Sequence, residues 1–214
     1  MAGAGERLGV TFYFDPGCPW TWLTSRWLVS AAAERPLDIR WRTFSLARLN
    51  EGKPVPAFLD TPEMRAKLEL AERGLRVVDA ALARGDNEGA GRFYTELGTR
   101  LHESDEEPGE AMLAEAAAAA GVSHLLDSLD DPVLDDAAAA GSLAEALRLA
   151  GPDIGSPVLH LDGADRGTFG PIVSPPPAGE EAGHLWDAVV ALSAIDSFFE
   201  LKRGRTDPPR FQPD

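Results

Sequence analysis

The one sulfur nucleophile in this chain sets the range of chemistry it can perform. Cys18 is the only cysteine among 214 residues, and it stands in the run Phe14-Asp15-Pro16-Gly17-Cys18-Pro19-Trp20-Thr21. A thiol reacts as its thiolate, and a helix N-terminus favours thiolate through unpaired N–H groups and the positive end of the helix dipole. Pro19 suits the first position of a helix, where its missing N–H is no loss. Cys18 is therefore expected at a helix start, with a pKa below the ~8.5 of a free thiol, while Asp15 and the net charge push the other way. The alternative is a small buried hydrophobe. A single cysteine excludes an intrachain disulfide and an all-cysteine metal site within one chain. His102, His124, His160 and His184 show no metal-ligand spacing, so neither a metal nor a tightly bound cofactor is expected.

The elements that must position Cys18 can be read on both sides of it. Val10 to Asp15 is an aromatic and β-branched run that stops at Pro16-Gly17, which predicts a buried strand. From Pro19, Trp20, Leu23, Trp27, Leu28 and Ala31 recur at helical spacing until Arg35-Pro36. Asp38 to Leu46 alternates as a second strand, parallel to the first if the helix is the crossover. Trp22, Trp27, Trp41 and Trp186 fall on apolar faces and are expected in the core.

A Gly- and Pro-rich loop from Asn50 to Pro62 leads into almost 90 residues without strand character. Helices are predicted there from Pro62 to about Arg84, Asn87 to Leu101, Gly109 to Ala120 and Asp131 to Ala150, with HESDEEPGE as a solvated loop. Pro157 to Leu161 and Thr168 to Val173 predict an antiparallel hairpin turning at Asp162-Gly163. A final helix is expected with Glu180 and Glu181 in its first turn and Lys202 and Arg203 in its last. The order β-α-β, helical block, β-β-α defines an α/β thioredoxin-like fold interrupted between its halves. The expected organisation is a thioredoxin-like domain over 8–60 and 151–205, an inserted helical subdomain over 61–150 and a C-terminal tail over 206–214.

Composition narrows the partners. Hydrophobic residues make up 44% and charged residues 26% of the chain, as in a globular protein rather than a disordered one. Twenty Lys and Arg against 35 Asp and Glu give a charge of −15, which repels phosphate backbones and anionic headgroups. No nucleic acid and no membrane partner is expected. Apolar runs fall short of the ~20 residues of a membrane helix, and residues 1 to 9 lack a signal-like pattern, so the expected location is cytoplasmic.

The stretches FDPGCPWTW, SLARLN, GSPVLHLDG, FGPIVS and GEEAGHLWDA…FFELKRGRTDPPRF resemble the DsbA-like thioredoxin-fold oxidoreductases of actinobacteria, and within them the mycothiol-dependent nitroreductases. The resemblance implies a cytoplasmic enzyme whose helical subdomain is inserted over the active site. It implies a low-molecular-weight thiol, mycothiol or glutathione-like, as co-substrate, and nitro compounds, quinone-like compounds or disulfides as substrates. A mycoredoxin-type protein is a candidate reductant and a homodimer a candidate assembly. In this fold a cis-proline brings the preceding backbone against the active sulfur, a place matched here by Ser156-Pro157. Asn50 and, within Thr99-Arg100-Leu101-His102, the residue His102 match family segments near the pocket.

The chain departs from the family at one decisive position. The family pattern Cys-Pro-Trp-Cys reads Cys18-Pro19-Trp20-Thr21 here, so no second cysteine can release a mixed disulfide and another small thiol must do so. Thr21 is expected either to hydrogen-bond the thiolate or to cap and pack. Trp20 either stacks on a flat substrate or packs under the insertion, and Asn50 either lines the pocket or caps a turn. Two other readings remain open: a thiol transferase or isomerase of kappa-class type that activates a bound thiol, and a non-catalytic binding protein. The helical block, rich in Ala and flanked by Gly and Pro, is expected to contact the thioredoxin half weakly and to act as a lid.

Overall fold

The computed structural model describes residues 7–129 and 132–211. The expected helix start at Asp131 and the last three tail residues, 212–214, lie outside the described residues. Four strands form one sheet in the order β2-β1-β3-β4. They are β1 (Leu8–Phe14), β2 (Leu37–Thr43), β3 (Val158–Leu161) and β4 (Thr168–Phe169). β1 pairs in parallel with β2, Leu8 opposite Leu37 and Phe14 opposite Thr43, and antiparallel with β3. β1 is thus the central strand. Val10, Phe12 and Phe14 enter the main core while Tyr13 enters a second cluster with Phe44, Ala146, Leu149 and Val158. Cover on both faces is why this strand reads as an almost unbroken apolar run.

Helix α1 (Pro19–Glu34) has Pro19 as its first residue and ends where Pro36 forces Arg35 into extended backbone. Helix α7 (Gly179–Ser193) packs on it, with Trp27 Nε1 donating to Ala182 O at 3.1 Å and Arg35 paired with Asp187 and Glu180. A short helix, α2 (Leu46–Leu49), follows β2, and α3 (Pro62–Ala83), α4 (Asn87–Glu103), α5 (Glu110–Ala120) and α6 (Pro132–Ala150) form the block between the halves.

Three expected boundaries are corrected. The second strand stops at Thr43 because Ser45 turns the chain by accepting from Arg48 N at 3.0 Å, which caps α2. β4 stops at Phe169 rather than Val173 because Gly170 takes φ +91° and Pro171 has no N–H to give a ladder. The last helix ends at Ser193, so Lys202 and Arg203 lie beyond it. Asp196 would place an anion at the negative end of a longer helix, and Ser197 beside it competes for backbone hydrogen bonds.

The contact between block and sheet, expected to be weak, is made through a shared core. One core runs through both, from β1 and α1 into α3, α4 and α5. Its centre is aromatic: Tyr94 of α4 stacks on Phe14 at 3.9 Å and meets Trp22 and Trp41 edge-on, each at 5.6 Å. The Ala-rich helices suggested a smooth surface, but α6 packs Ala146 and Leu149 against Tyr13, Phe44 and Val158, and α4 adds Gly91 and Gly98, which let the Trp41 and Trp22 rings approach its backbone.

Candidate active site

Cys18 is the N-cap residue of α1, with extended backbone at φ −87° and ψ 113° and no side-chain capping bond to the helix. The turn before it is closed by Cys18 N donating to Asp15 O at 3.2 Å. The N–H groups of Trp20 and Thr21 and the Thr21 hydroxyl act on the sulfur and favour its thiolate. Burial acts more strongly in the other direction, with the Asp15 charge adding to it, and the Cys18 thiol is pushed above its ordinary range. This corrects the expectation of a lowered pKa. A helix start was readable from Cys18-Pro19, whereas the burial of the sulfur depends on segments remote in sequence.

Thr21 is fully buried one turn into α1, and its hydroxyl lies 2.9 Å from that of Ser156. Ser156 Oγ also accepts from Asp15 N at 3.1 Å. The Ser156–Pro157 peptide is cis, as are Gly170–Pro171 and Ser174–Pro175. The two halves of the fold therefore meet at the sulfur through hydroxyls: Ser156 of the second half touches both the turn and the helix of the first. The Thr21 hydroxyl donates to Ser156 Oγ, so Ser156 accepts from both the turn and the helix; were Ser156 to donate to Thr21 in return, the Thr21 hydroxyl would be free to turn its proton to the Cys18 thiolate. One turn further on, the Thr24 hydroxyl reaches Pro171 O at 2.8 Å and secures the loop after β4.

Asp15 is a site residue whose role sequence reasoning missed. It is fully enclosed, and its carboxylate accepts from Gly17 N and Leu46 N, each at 2.8 Å. Burial, reinforced by the Glu72 charge, raises its pKa from 3.8 to about 7, against the two backbone donors. An aspartate ending a strand reads as a turn former. The available signal was that a charge closed a run buried on both faces.

His102 reaches the same turn from α4, its Nε2–H donating to Pro16 O at 2.8 Å. The ring lies between Trp22 at 6.0 Å and Phe211 at 5.9 Å, and burial lowers its pKa to about 4. His102 is thus a neutral donor that fixes the turn. Trp20 is half-buried, with the Arg205 guanidinium 4.8 Å from its ring centre. Pro19 is half-buried beside it. Asn50 is exposed and caps α2, donating from Nδ2 to Leu46 O at 2.8 Å and accepting from Lys53 Nζ at 3.3 Å. Among the described residues no hydrogen bond joins it to Cys18. Among the described residues no cluster of His, Cys, Asp and Glu could hold a metal, and no helix is long and apolar enough to cross a membrane.

A β-α-β and β-β-α core around a helix-start cysteine and a Ser–cis-Pro, with helices inserted between its halves, defines the DsbA-like thioredoxin-fold oxidoreductases. Solved structures share that fold. The probable DsbA oxidoreductase SCO1869 from Streptomyces coelicolor superposes with a TM-score of 0.57 at 18% identity, over 94% of this chain and 95% of that one. The cytosolic disulfide reductase DsbM from Pseudomonas aeruginosa with GSH gives 0.56 at 19% identity, over 86% of this chain and all of that one. The family model of the mycothiol-dependent nitroreductase Rv2466c matches residues 17–203, and the chain belongs to this Rv2466c-like family of thiol-dependent oxidoreductases. It is also 31% identical over 206 residues to the uncharacterized protein Rv2286c of Mycobacterium tuberculosis (strain ATCC 25618 / H37Rv), covering 92% of this chain and 82% of that protein.

Proposed function

We propose that this chain is a monothiol oxidoreductase in which Cys18 cycles through a mixed disulfide with a low-molecular-weight thiol of mycothiol or glutathione type. The observation that carries the reading is the exchange at the second motif position: the buried residue one turn from Cys18 is Thr21, which can donate a hydrogen bond but cannot carry electrons. With a disulfide RSSR′ as substrate, the Cys18 thiolate attacks one sulfur, R′S⁻ leaves, and Cys18–S–S–R forms. A second RSH, as thiolate, attacks that bond, releasing RSSR and restoring Cys18. With a nitro compound, Cys18–SH and RSH together supply two electrons and two protons. The nitro group becomes nitroso with loss of water, the same mixed disulfide forms, and RSH resolves it. A mycoredoxin-type protein is the candidate reductant in the cell.

The chain's own residues have distinct tasks in this scheme. The Trp20 and Thr21 N–H groups and the Thr21 hydroxyl hold the thiolate both when it attacks and when it leaves. Asp15, with a pKa of about 7, can hold the proton that the thiol gives up. Ser156 and Pro157 form the wall against which the bound thiol lies, Trp20 packs on its organic part, and Asn50 borders the loop on the far side.

Intact mass spectrometry after incubation with mycothiol disulfide and with glutathione disulfide tests the reading. One adduct at Cys18, removed by excess small thiol, is the expected result. A protein that forms no adduct would overturn it. The raised Cys18 pKa favours one other reading, in which a bound thiol is activated and Cys18 stays protonated. Turnover that survives Cys18→Ser would select that one.

A further inference from the structure

The segment after α7 does not hang free. It turns at Phe198, whose N–H donates to Ile195 O at 2.9 Å, and the Arg166 guanidinium lies 5.4 Å from the Phe199 ring centre. At its far end Arg210 N donates to Ser174 Oγ at 2.9 Å, and Phe211 joins the edge of the core on the His102 ring. Between these anchors, Arg205 is laid over Trp20, two residues past the reactive sulfur. The segment is a strap beside the reactive turn, touching Trp20 on one side and, on the other, His102, which itself holds Pro16 O.

The charge of this strap is opposite to that of the protein. Residues 202–210 carry Lys202, Arg203, Arg205 and Arg210 against the one acid Asp207, in a chain whose net charge is −15. Asp207 is exposed and accepts from the Thr206 hydroxyl at 2.8 Å. A cationic rim in an otherwise anionic field attracts small anions to that one place and repels them elsewhere. The ring under Arg205 keeps its guanidinium planar and oriented without occupying its N–H donors, which stay available to a carboxylate, phosphate or sulfonate oxygen.

We propose that Arg205, held on Trp20 by the C-terminal strap, is a specificity-determining residue that selects a negatively charged group on the oxidised substrate, disulfide or nitro compound, that reacts at Cys18. The proposal rests on Cys18 as the reactive sulfur and extends the proposed function by naming the charge class of its substrate. It adds no redox step.

Paired alkylation of the full-length protein tests it. Iodoacetate and iodoacetamide react with the same thiolate, so a change in the Cys18 pKa or exposure moves both rates together, and their ratio reports the charge at the site. Arg205→Gln is expected to slow iodoacetate by about three- to tenfold at low ionic strength, the effect of removing one cation beside the path of an anion near water. The iodoacetamide rate should stay within about twofold on the same grounds. Arg205→Lys should keep most of the preference. Phe211→Ala, which frees the strap end, should lose it selectively as Arg205→Gln does. Added salt should shrink the wild-type ratio over the ~0.01–0.3 M range in which screening sets in. Equal slowing of both reagents by Arg205→Gln, or no change in either, would overturn the proposal. Since alkylation needs no small thiol and no turnover, a failed mixed-disulfide cycle and a failed charge selection are separate results.

Discussion

The hydroxyls of Thr21 and Ser156 stand 2.9 Å apart at the junction of the two halves of the fold, where a Cys-Pro-Trp-Cys motif would place its second sulfur. With threonine there, the position is not a gap. Threonine fills the position with a group that bonds to the cis-proline loop and stabilises the neighbouring thiolate, so the site keeps its geometry while losing one redox centre.

The hydrogen bond from Thr21 should be visible in the titration of Cys18. Burial already holds this thiol above its ordinary range, with Thr21 pulling down. Thr21→Val keeps the volume and removes the donor, and a hydrogen bond to a charged group contributes ~1.5–3 kcal/mol, about one to two pH units. Thiolate absorbance near ~240 nm, read against Cys18→Ser as blank, is expected to show a high midpoint in the wild type and a higher one in Thr21→Val. An unmoved midpoint would confine Thr21 to packing.

Thr21→Cys is expected to convert the site to a dithiol. The side chains at the N-cap and one turn into α1 lie on the same side of the helix start, and the surrounding cluster is already shaped for a buried group there. Mild oxidation should leave the variant without free thiol, against one per chain in the wild type. Two thiols persisting under oxidant would mean that the positions do not face each other.

How far the site could be read in advance depended on how local its causes are. Cys18-Pro19 states a helix N-cap in two adjacent residues, and Arg35-Pro36 states its end, so the frame around the sulfur was legible. The parallel pairing of β1 with β2 followed from the crossover helix between them. The raised thiol pKa was not legible, because it depends on what covers Cys18. The neutral His102 likewise depends on a contact between residues 86 positions apart, His102 with Pro16. The end of the last helix was misread, since Lys202 and Arg203 suit a helix C-terminus, and nothing local marks Arg205 as the partner of Trp20.

Asp15 and His102 should leave opposite marks on stability as pH changes. Asp15 is raised from 3.8 to about 7, so its contribution is complete below the unfolded value and is lost as pH rises through the folded one. His102 is lowered from 6.5 to about 4, so its contribution is present above the unfolded value and is lost as pH falls toward 4. Each amounts to a few kcal/mol at ~1.4 kcal/mol per unit, and between about pH 4 and 6.5 the two cancel in the wild type. Urea midpoints over that window should fall on acidification in Asp15→Asn and rise in His102→Phe, relative to wild type. Parallel profiles in the two variants would show that neither group titrates as its burial requires.

Gly98 offers the sharpest test of how the helical block is attached. A Cβ there would stand 2.3 Å from Cε3 and Cζ3 of Trp22, a contact that something must relieve. Trp22 cannot easily give way: its ring is buried, its Nε1 donates to Glu103 at 2.7 Å, and the Arg26 guanidinium lies 4.1 Å from its centre. Helix propensity alone would make Gly98→Ala favourable by up to ~1 kcal/mol. Overpacking costs ~1–3 kcal/mol, so the net effect should be a loss of up to about 2 kcal/mol in urea denaturation. Gly141 of α6 supplies the control, since a Cβ there meets nothing within 4 Å. Gly141→Ala should be stabilising by up to ~1 kcal/mol on propensity grounds. Were the block a loosely held lid, both substitutions would stabilise alike. A loss confined to Gly98→Ala, with slower iodoacetamide reaction at Cys18 as α1 shifts, would place the attachment at the contact between α4 and the helix that carries the sulfur.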